Sequence, residues 1–209
     1  MSLDVITIPP ATGQPPAGLI VVLHGWGGNA QELASVTPLL NLPDYQFLCP
    51  NAPLPHPYGA TGRMWYAFTQ PDESPQKGYQ ELAKSTELLT EWLKSLESTT
   101  GVPLSRTILI GFSQGGAMTL DVGLYLPLAG LVVLSGYLHP ISQPPEHTFP
   151  PVLIVHGTQD SIVPVSSAQK ARDTLTGLGV AVQYQEFSMG HEIRPEVLQL
   201  IRNFVKTNT

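Results

Sequence analysis

One cysteine, Cys49, stands among 209 residues, so no disulfide can form within the chain. It follows an apolar run and reads as a buried, inert thiol. Charge is also scarce: Asp, Glu, Lys and Arg make up 12% of the chain, 10 basic against 16 acidic, for a net charge of −6. No basic cluster occurs, which excludes a surface built to neutralise a nucleic-acid backbone. No stretch approaches the roughly 18 apolar residues of a membrane span, so no membrane insertion is expected. Residues 1–16 lack the basic start and apolar run of a secretory leader, and the expected compartment is the cytoplasm. Internal repeats and low-complexity tracts are missing too. An apolar fraction of 42% excludes disorder by composition, and the length suits one domain over residues 1–209.

What is present is alternation. Apolar runs at 4–9, 18–25, 45–50, 106–112, 130–136, 151–157 and 181–187 read as strands, the first an edge strand. Helical patterns cover 30–40, with Asn29 as N-cap, then 77–97, 114–126, 165–178 and 194–206. In the second helix Leu82, Leu89, Leu93 and Leu96 form one apolar stripe. The 21 prolines gather at 9–16, 50–57 and 140–151, and residues 51–76 are loop-rich. Strands alternating with helices build a mostly parallel sheet with helices on both faces. Ligands of such sheets sit beyond the carboxyl ends of strands, so a candidate motif must lie just after a strand.

"TILIGFSQGGAMTL", residues 107–120, meets that condition. Ser113 lies where an apolar strand gives way to a helix, between Gly111 and Gly115. A sharp strand-to-helix turn would lift its hydroxyl out of the sheet, and small flanking residues would let strand and helix backbones approach. A serine hydroxyl is a poor nucleophile and needs a base, itself oriented by an acid. In this topology they are expected later, in the order Ser, Asp, His. Asp160 in "HGTQDSIVP" follows strand 151–157, and His191 in "SMGHEIRPE" follows strand 181–187. His24 and His156 each precede a strand-end glycine and read as structural or supporting groups. His56, His139 and His147 read as solvated loop histidines, and Asp121 falls within the helix after Ser113. Donors for a developing oxyanion are expected from two backbone N–H groups, those of Gln114 and of Trp26 in "HGWGGNA".

"LHGWGG", "GFSQGGAM", "HGTQDSIVP" and "GHEIRPE" together resemble, in order and spacing, the phospholipase/carboxylesterase family of α/β-hydrolases. The resemblance spans about residues 18–205. It implies the α/β-hydrolase fold, Ser113, Asp160 and His191 as a catalytic triad, and the Trp26 and Gln114 amides as oxyanion hole. It also implies no metal and no organic cofactor. The chain departs from the family at Trp26, where relatives often carry Leu, at Gly27-Gly28-Asn29, where many read Gly-Asp, and at Ser161, often Pro. The indole is expected to reshape the acyl pocket.

The expected activity is hydrolysis of small to medium acyl esters through an acyl-enzyme. The base must be neutral to act, so activity should fall on acidification. In "GRMWYAF", residues 62–68, Trp65 is the first candidate for substrate contact, with a core-packed loop anchor as its alternative. Met118 and Leu138 are further candidates for the pocket lining, and the segment 51–76 for a pocket wall or partial lid. Within the same chemistry, an acyl-protein thioesterase and a lysophospholipase stay open. A non-catalytic binding protein of this fold is the alternative from another class, and homodimerisation is left open.

Overall fold

The computed structural model describes residues 3–68, 75–141 and 148–209. His147 and residues 69–74 of the loop-rich segment lie outside them.

Seven strands form the main sheet: β1 (Val5–Ile8), β2 (Leu19–Leu23), β3 (Gln46–Pro50), β6 (Thr107–Phe112), β7 (Gly130–Leu134), β8 (Val152–Gly157) and β9 (Val182–Phe187). A small hairpin of β4 (Leu54–Pro55) and β5 (Arg63–Met64) interrupts the series. The sheet order is β1-β3-β2-β6-β7-β8-β9. Within this sheet, among the described residues, only β1 runs antiparallel, pairing Val5 with Pro50 through Ile8 with Phe47. β2, β7 and β8 are buried along their whole length, as apolar runs covered on both faces must be. β9 alternates in exposure because it is the last strand of the sheet.

Among the described residues the α-helices are α1 (Ala30–Val36), α2 (Pro75–Thr100), α3 (Gln114–Gly123), α4 (Val165–Gly177) and α5 (Pro195–Asn208). Side-chain alternation along the strands assigns them to faces. Leu19, Val21 and Leu23 share one core with Leu89 and Leu93 of α2, Met118 of α3 and Leu175 of α4. Ile20, Val22 and Ile110 share the other with Ala30 of α1 and Val197, Ile201 and Phe204 of α5. Burying each such leucine is worth roughly 2 kcal/mol relative to exposure.

Two helix ends differ from the sequence pattern. α1 begins as expected, its Glu32 N–H donating to the Asn29 side chain at 2.9 Å, but stops at Val36. A 3₁₀ turn over Thr37–Leu40 replaces the rest, because Pro38 has no N–H to continue an α-helix. α3 ends at Gly123, short of Pro127. Among the described residues no helix is long and apolar enough to cross a membrane.

Candidate active site

Ser113 joins β6 to α3 with φ 55° and ψ −118°, a backbone conformation that L-residues seldom adopt. Two glycines permit the corner. A Cβ at Gly111 would collide with the backbone of Gly115, and one at Gly115 would lie 2.6 Å from the His24 carbonyl oxygen. The turn is fastened to the next strand by the Ser113 N–H, which donates to the Leu134 carbonyl at 2.8 Å. Ser113 is mostly buried, yet it borders a cavity of about 860 Å³.

His191 borders the same cavity, and its ring lies 4.8 Å from that of Phe112, the residue before Ser113. Its Nδ1–H donates to Asp160 Oδ2 at 2.7 Å. The other carboxylate oxygen, Oδ1, accepts the N–H groups of Ile162 and Val163, both at 2.9 Å. Burial works against ionisation of Asp160, but the hydrogen bonds from His191, Val163 and Ile162 outweigh it and hold the carboxyl below its ordinary range. The loops carrying acid and base are zipped together past the ends of their strands. Thr158 N–H donates to Phe187 O at 2.8 Å, and Gln159 N–H to Met189 O at 3.0 Å.

His156, fully buried at the end of β8, supports the acid. Its Nε2–H donates to the Val163 carbonyl at 2.8 Å and lies 3.4 Å from Asp160 Oδ2. It therefore fixes the turn whose amides grip Oδ1. His24 is structural in another way. Its Nδ1–H donates to Gly25 O at 2.8 Å and its Nε2 accepts the Ala52 N–H at 3.0 Å. Burial keeps it neutral, lowering its pKa to about 4.

Residues 25–28 form a turn closed by Gly28 N–H on Gly25 O at 3.1 Å, with Gly27 at φ 81° in the left-handed position only glycine fills freely. This turn abuts the serine: a Cβ on Gly25 would lie 3.2 Å from Ser113 Cβ. The backbone N–H groups of Trp26, in the turn, and Gln114, the first residue of α3, have no acceptor among the described residues. Unused amides beside a hydroxyl are what an oxyanion hole requires.

The segment 62–68 is tied into this assembly along its length. Gly27 N–H donates to Arg63 O at 2.9 Å and Arg63 N–H to Gly28 O at 2.8 Å. The Gln114 side chain, fully buried, accepts the Trp65 N–H and donates to the Tyr66 carbonyl. Ser85 of α2 donates to Trp65 O at 2.5 Å, and the Trp65 indole N–H donates to His24 O at 3.0 Å. Trp65 is thus a core anchor with 0% exposure, not a cavity wall. Met118 likewise faces the core beneath α3 and does not reach the cavity. In both cases a large side chain at a helix–sheet or loop–helix contact is held where water is excluded.

Leu138 does line the cavity. So do Phe68 and Trp26, whose rings lie 5.8 Å apart, and Ile141, Ile162 and Val163. His56 packs edge-on against Trp26 at 4.1 Å behind the cavity lining and is half-buried, not a solvated loop residue. His139 is also misread as solvated: it is half-buried and its Nδ1–H donates to Asp121 at 2.6 Å. A tripeptide or heptad pattern could not signal this pair, because it joins a helix to a loop 18 residues away. Among the described residues no group of His, Cys, Asp and Glu is arranged to hold a metal ion.

A doubly covered parallel sheet with a strained serine at a strand-to-helix corner and an Asp–His pair beyond later strands defines an α/β-hydrolase of the serine type. Residues 8–209 match the family described as Phospholipase/Carboxylesterase, and the chain belongs to that family. The chain is 33% identical over 152 residues to acyl-protein thioesterase 1 homolog 2 of Dictyostelium discoideum, covering 70% of this chain and 68% of that protein. It is 28% identical over 207 residues to acyl-protein thioesterase 1 of Neurospora crassa, covering 89% and 84%. Among solved structures, esterase PE8 superposes with a TM-score of 0.91 at 28% identity, over 100% of both chains. SOBER1 of Arabidopsis thaliana superposes with a TM-score of 0.77 at 26% identity, over 91% of this chain and 98% of that one.

Proposed function

We propose that Ser113, Asp160 and His191 are the catalytic triad of a carboxylesterase that cleaves small to medium acyl esters through an acyl-enzyme. The observation that carries this reading is the 2.7 Å Asp160–His191 hydrogen bond, made on the wall of the cavity that Ser113 enters from its strained corner. His191 takes the Ser113 proton as the hydroxyl attacks the ester carbonyl. The Trp26 and Gln114 amides receive the oxyanion, a donor of this kind contributing roughly 3 kcal/mol to the transition state. His191 then protonates the departing alcohol. Water, activated by the same imidazole, hydrolyses the acyl-enzyme and restores Ser113. Asp160 stays ionised throughout and keeps the imidazole proton on Nδ1.

The names of the relatives favour a second substrate for the same site, an acyl thioester, since the attacked group is again an acyl carbonyl. Labelling by a fluorophosphonate probe, lost in Ser113→Ala, tests the nucleophile. Parallel turnover of an aryl butanoate, an acyl thioester and a lysophospholipid ranks the substrates. Absence of labelling in the native chain would refute the triad. A thioester preferred by orders of magnitude would replace the carboxylesterase reading by the second one.

A further inference from the structure

Beyond β7 the chain runs through Tyr137, Leu138, His139, Pro140 and Ile141 without regular secondary structure. Leu138, His139, Pro140 and Ile141 line two spaces at once. On one side is the cavity beside Ser113. On the other is a hollow of about 360 Å³, closed by Leu82, Thr86 and Thr90 of α2 and by Asp121 of α3. This short strap is therefore a partition.

Residues 137–141 make no main-chain hydrogen bond to another described residue. Side chains do the work. The hydroxyls of Tyr137 and Tyr66 share a hydrogen bond at 2.5 Å. Tyr66 O–H lies 3.3 Å from His139 Nε2, and His139 Nδ1–H donates to Asp121 at 2.6 Å. With Nδ1 protonated toward the carboxylate, Nε2 is an acceptor, so the protons can run in one direction from Tyr137 through Tyr66 and His139 to Asp121. The far end is rigid, because the Tyr66 carbonyl is held by Gln114 and Asp121 sits mid-helix in α3. Burial of the phenols makes ionisation costly, raising the Tyr137 pKa to about 12 and that of Tyr66 further. The network therefore works through hydrogen bonds between neutral hydroxyls, anchored at one carboxylate.

We propose that the Asp121–His139 pair sets the length of chain this enzyme accepts, by holding Leu138–Ile141 as a wall between the cavity beside Ser113 and the hollow against α2 and α3. Asp121 is a positioning residue: it touches His139 and borders the hollow, not the cavity. With the pair intact, a straight apolar chain meets Leu138 and Ile141. With the pair broken, the wall relaxes and a longer chain passes into the hollow. This inference rests on the esterase reading above for its natural substrate.

The test uses two series of equal chain length on the full chain: aryl esters from acetate to tetradecanoate, read as kcat/KM, and the matching free fatty acids, read as calorimetric affinity. In Asp121→Ala the ratio of dodecanoyl to butanoyl kcat/KM rises about tenfold, the scale on which an apolar pocket discriminates chain size. Asp121→Asn, which keeps an acceptor for the imidazole N–H, retains the native profile. His139→Ala breaks the pair from its other side and decides the matter if Asp121→Ala does not fold. Adding Thr86→Trp to Asp121→Ala fills the hollow from α2 and returns the profile to short chains. An unchanged profile in both alanine variants, a uniform loss across all lengths, or a gain that Thr86→Trp does not reverse overturns the proposal. A native chain that neither hydrolyses any ester nor takes the fluorophosphonate label sinks the esterase reading instead, and the fatty-acid affinities then judge the partition.

Discussion

The buried side chain of Gln114 accepts the Trp65 N–H at 2.9 Å and donates to the Tyr66 carbonyl at 2.8 Å. One residue thus has two separable duties. Its backbone N–H is the proposed oxyanion donor, while its amide bolts the 62–68 segment beside the site. Gln114→Met keeps the first and removes the second. Leaving two buried backbone groups unpaired should cost about 2–4 kcal/mol, measured by urea unfolding. Turnover should persist at reduced level, unlike that of Ser113→Ala. A stability equal to that of the native chain would contradict the bolt.

In the proposed triad His156 acts through Asp160, lying 3.4 Å from its Oδ2 and holding the Val163 carbonyl. His156→Phe removes its bond to the Val163 carbonyl and loosens the turn whose amides hold Asp160 Oδ1. The expected result is a fall in kcat of about 10- to 100-fold with KM little changed, the size of effect that slight misplacement of reacting groups produces. A change confined to KM would show that the residue acts elsewhere.

Asp160→Asn should lower kcat by roughly 10³–10⁴-fold, because an amide can donate to the imidazole and favour the wrong tautomer. Fluorophosphonate labelling should slow in parallel. Since the Asp160 carboxyl titrates below its ordinary range, its contribution to stability is complete above the unfolded-state value of about 4 and is lost as pH falls below it. The acid limb of the native stability curve should therefore shift in the variant.

His24 makes a second pH dependence, higher on the scale. The unfolded chain takes up its proton near pH 6.5, whereas the folded chain resists until about 4. Stability on account of this group is intact above 6.5 and declines as pH falls toward 4. Between pH 7 and pH 5 the loss should be about 2 kcal/mol. Denaturant unfolding at the two pH values checks it, and His24→Gln, though less stable at pH 7, should lack this component of the slope.

Gly115→Ala tests the corner itself. The added methyl would meet the backbone oxygens of Leu23, which ends β2 paired with Gly111, and of His24, which holds the Trp65 indole N–H. A loss of at least about 3 kcal/mol is expected, seen as a lowered thermal midpoint. Gly177→Ala, where a Cβ meets nothing, serves as the control and should be tolerated.

Local pattern carried a large part of this molecule. Apolar runs covered on both faces, amphipathic stripes such as Leu82, Leu89, Leu93 and Leu96, and the Asn29 cap are one-dimensional signals of geometry within a single element. Because a parallel sheet gathers its strand ends at one rim, the positions of Ser113, Asp160 and His191 just past strands could also be read in advance. What tertiary structure alone decided are the meetings between elements. The composition of "GRMWYAF" left Trp65 equally suited to wall or anchor, and only the hydrogen bonds it receives from Ser85 and donates to Gln114 and His24 made it an anchor. Met118 was drawn into the core by the close seat of α3 on the sheet. The Asp121–His139 pair, and the wall it holds, join segments whose spacing obeys no helical or strand period. Periodicity reports which face of an element turns inward, but not which side chain of another element waits there.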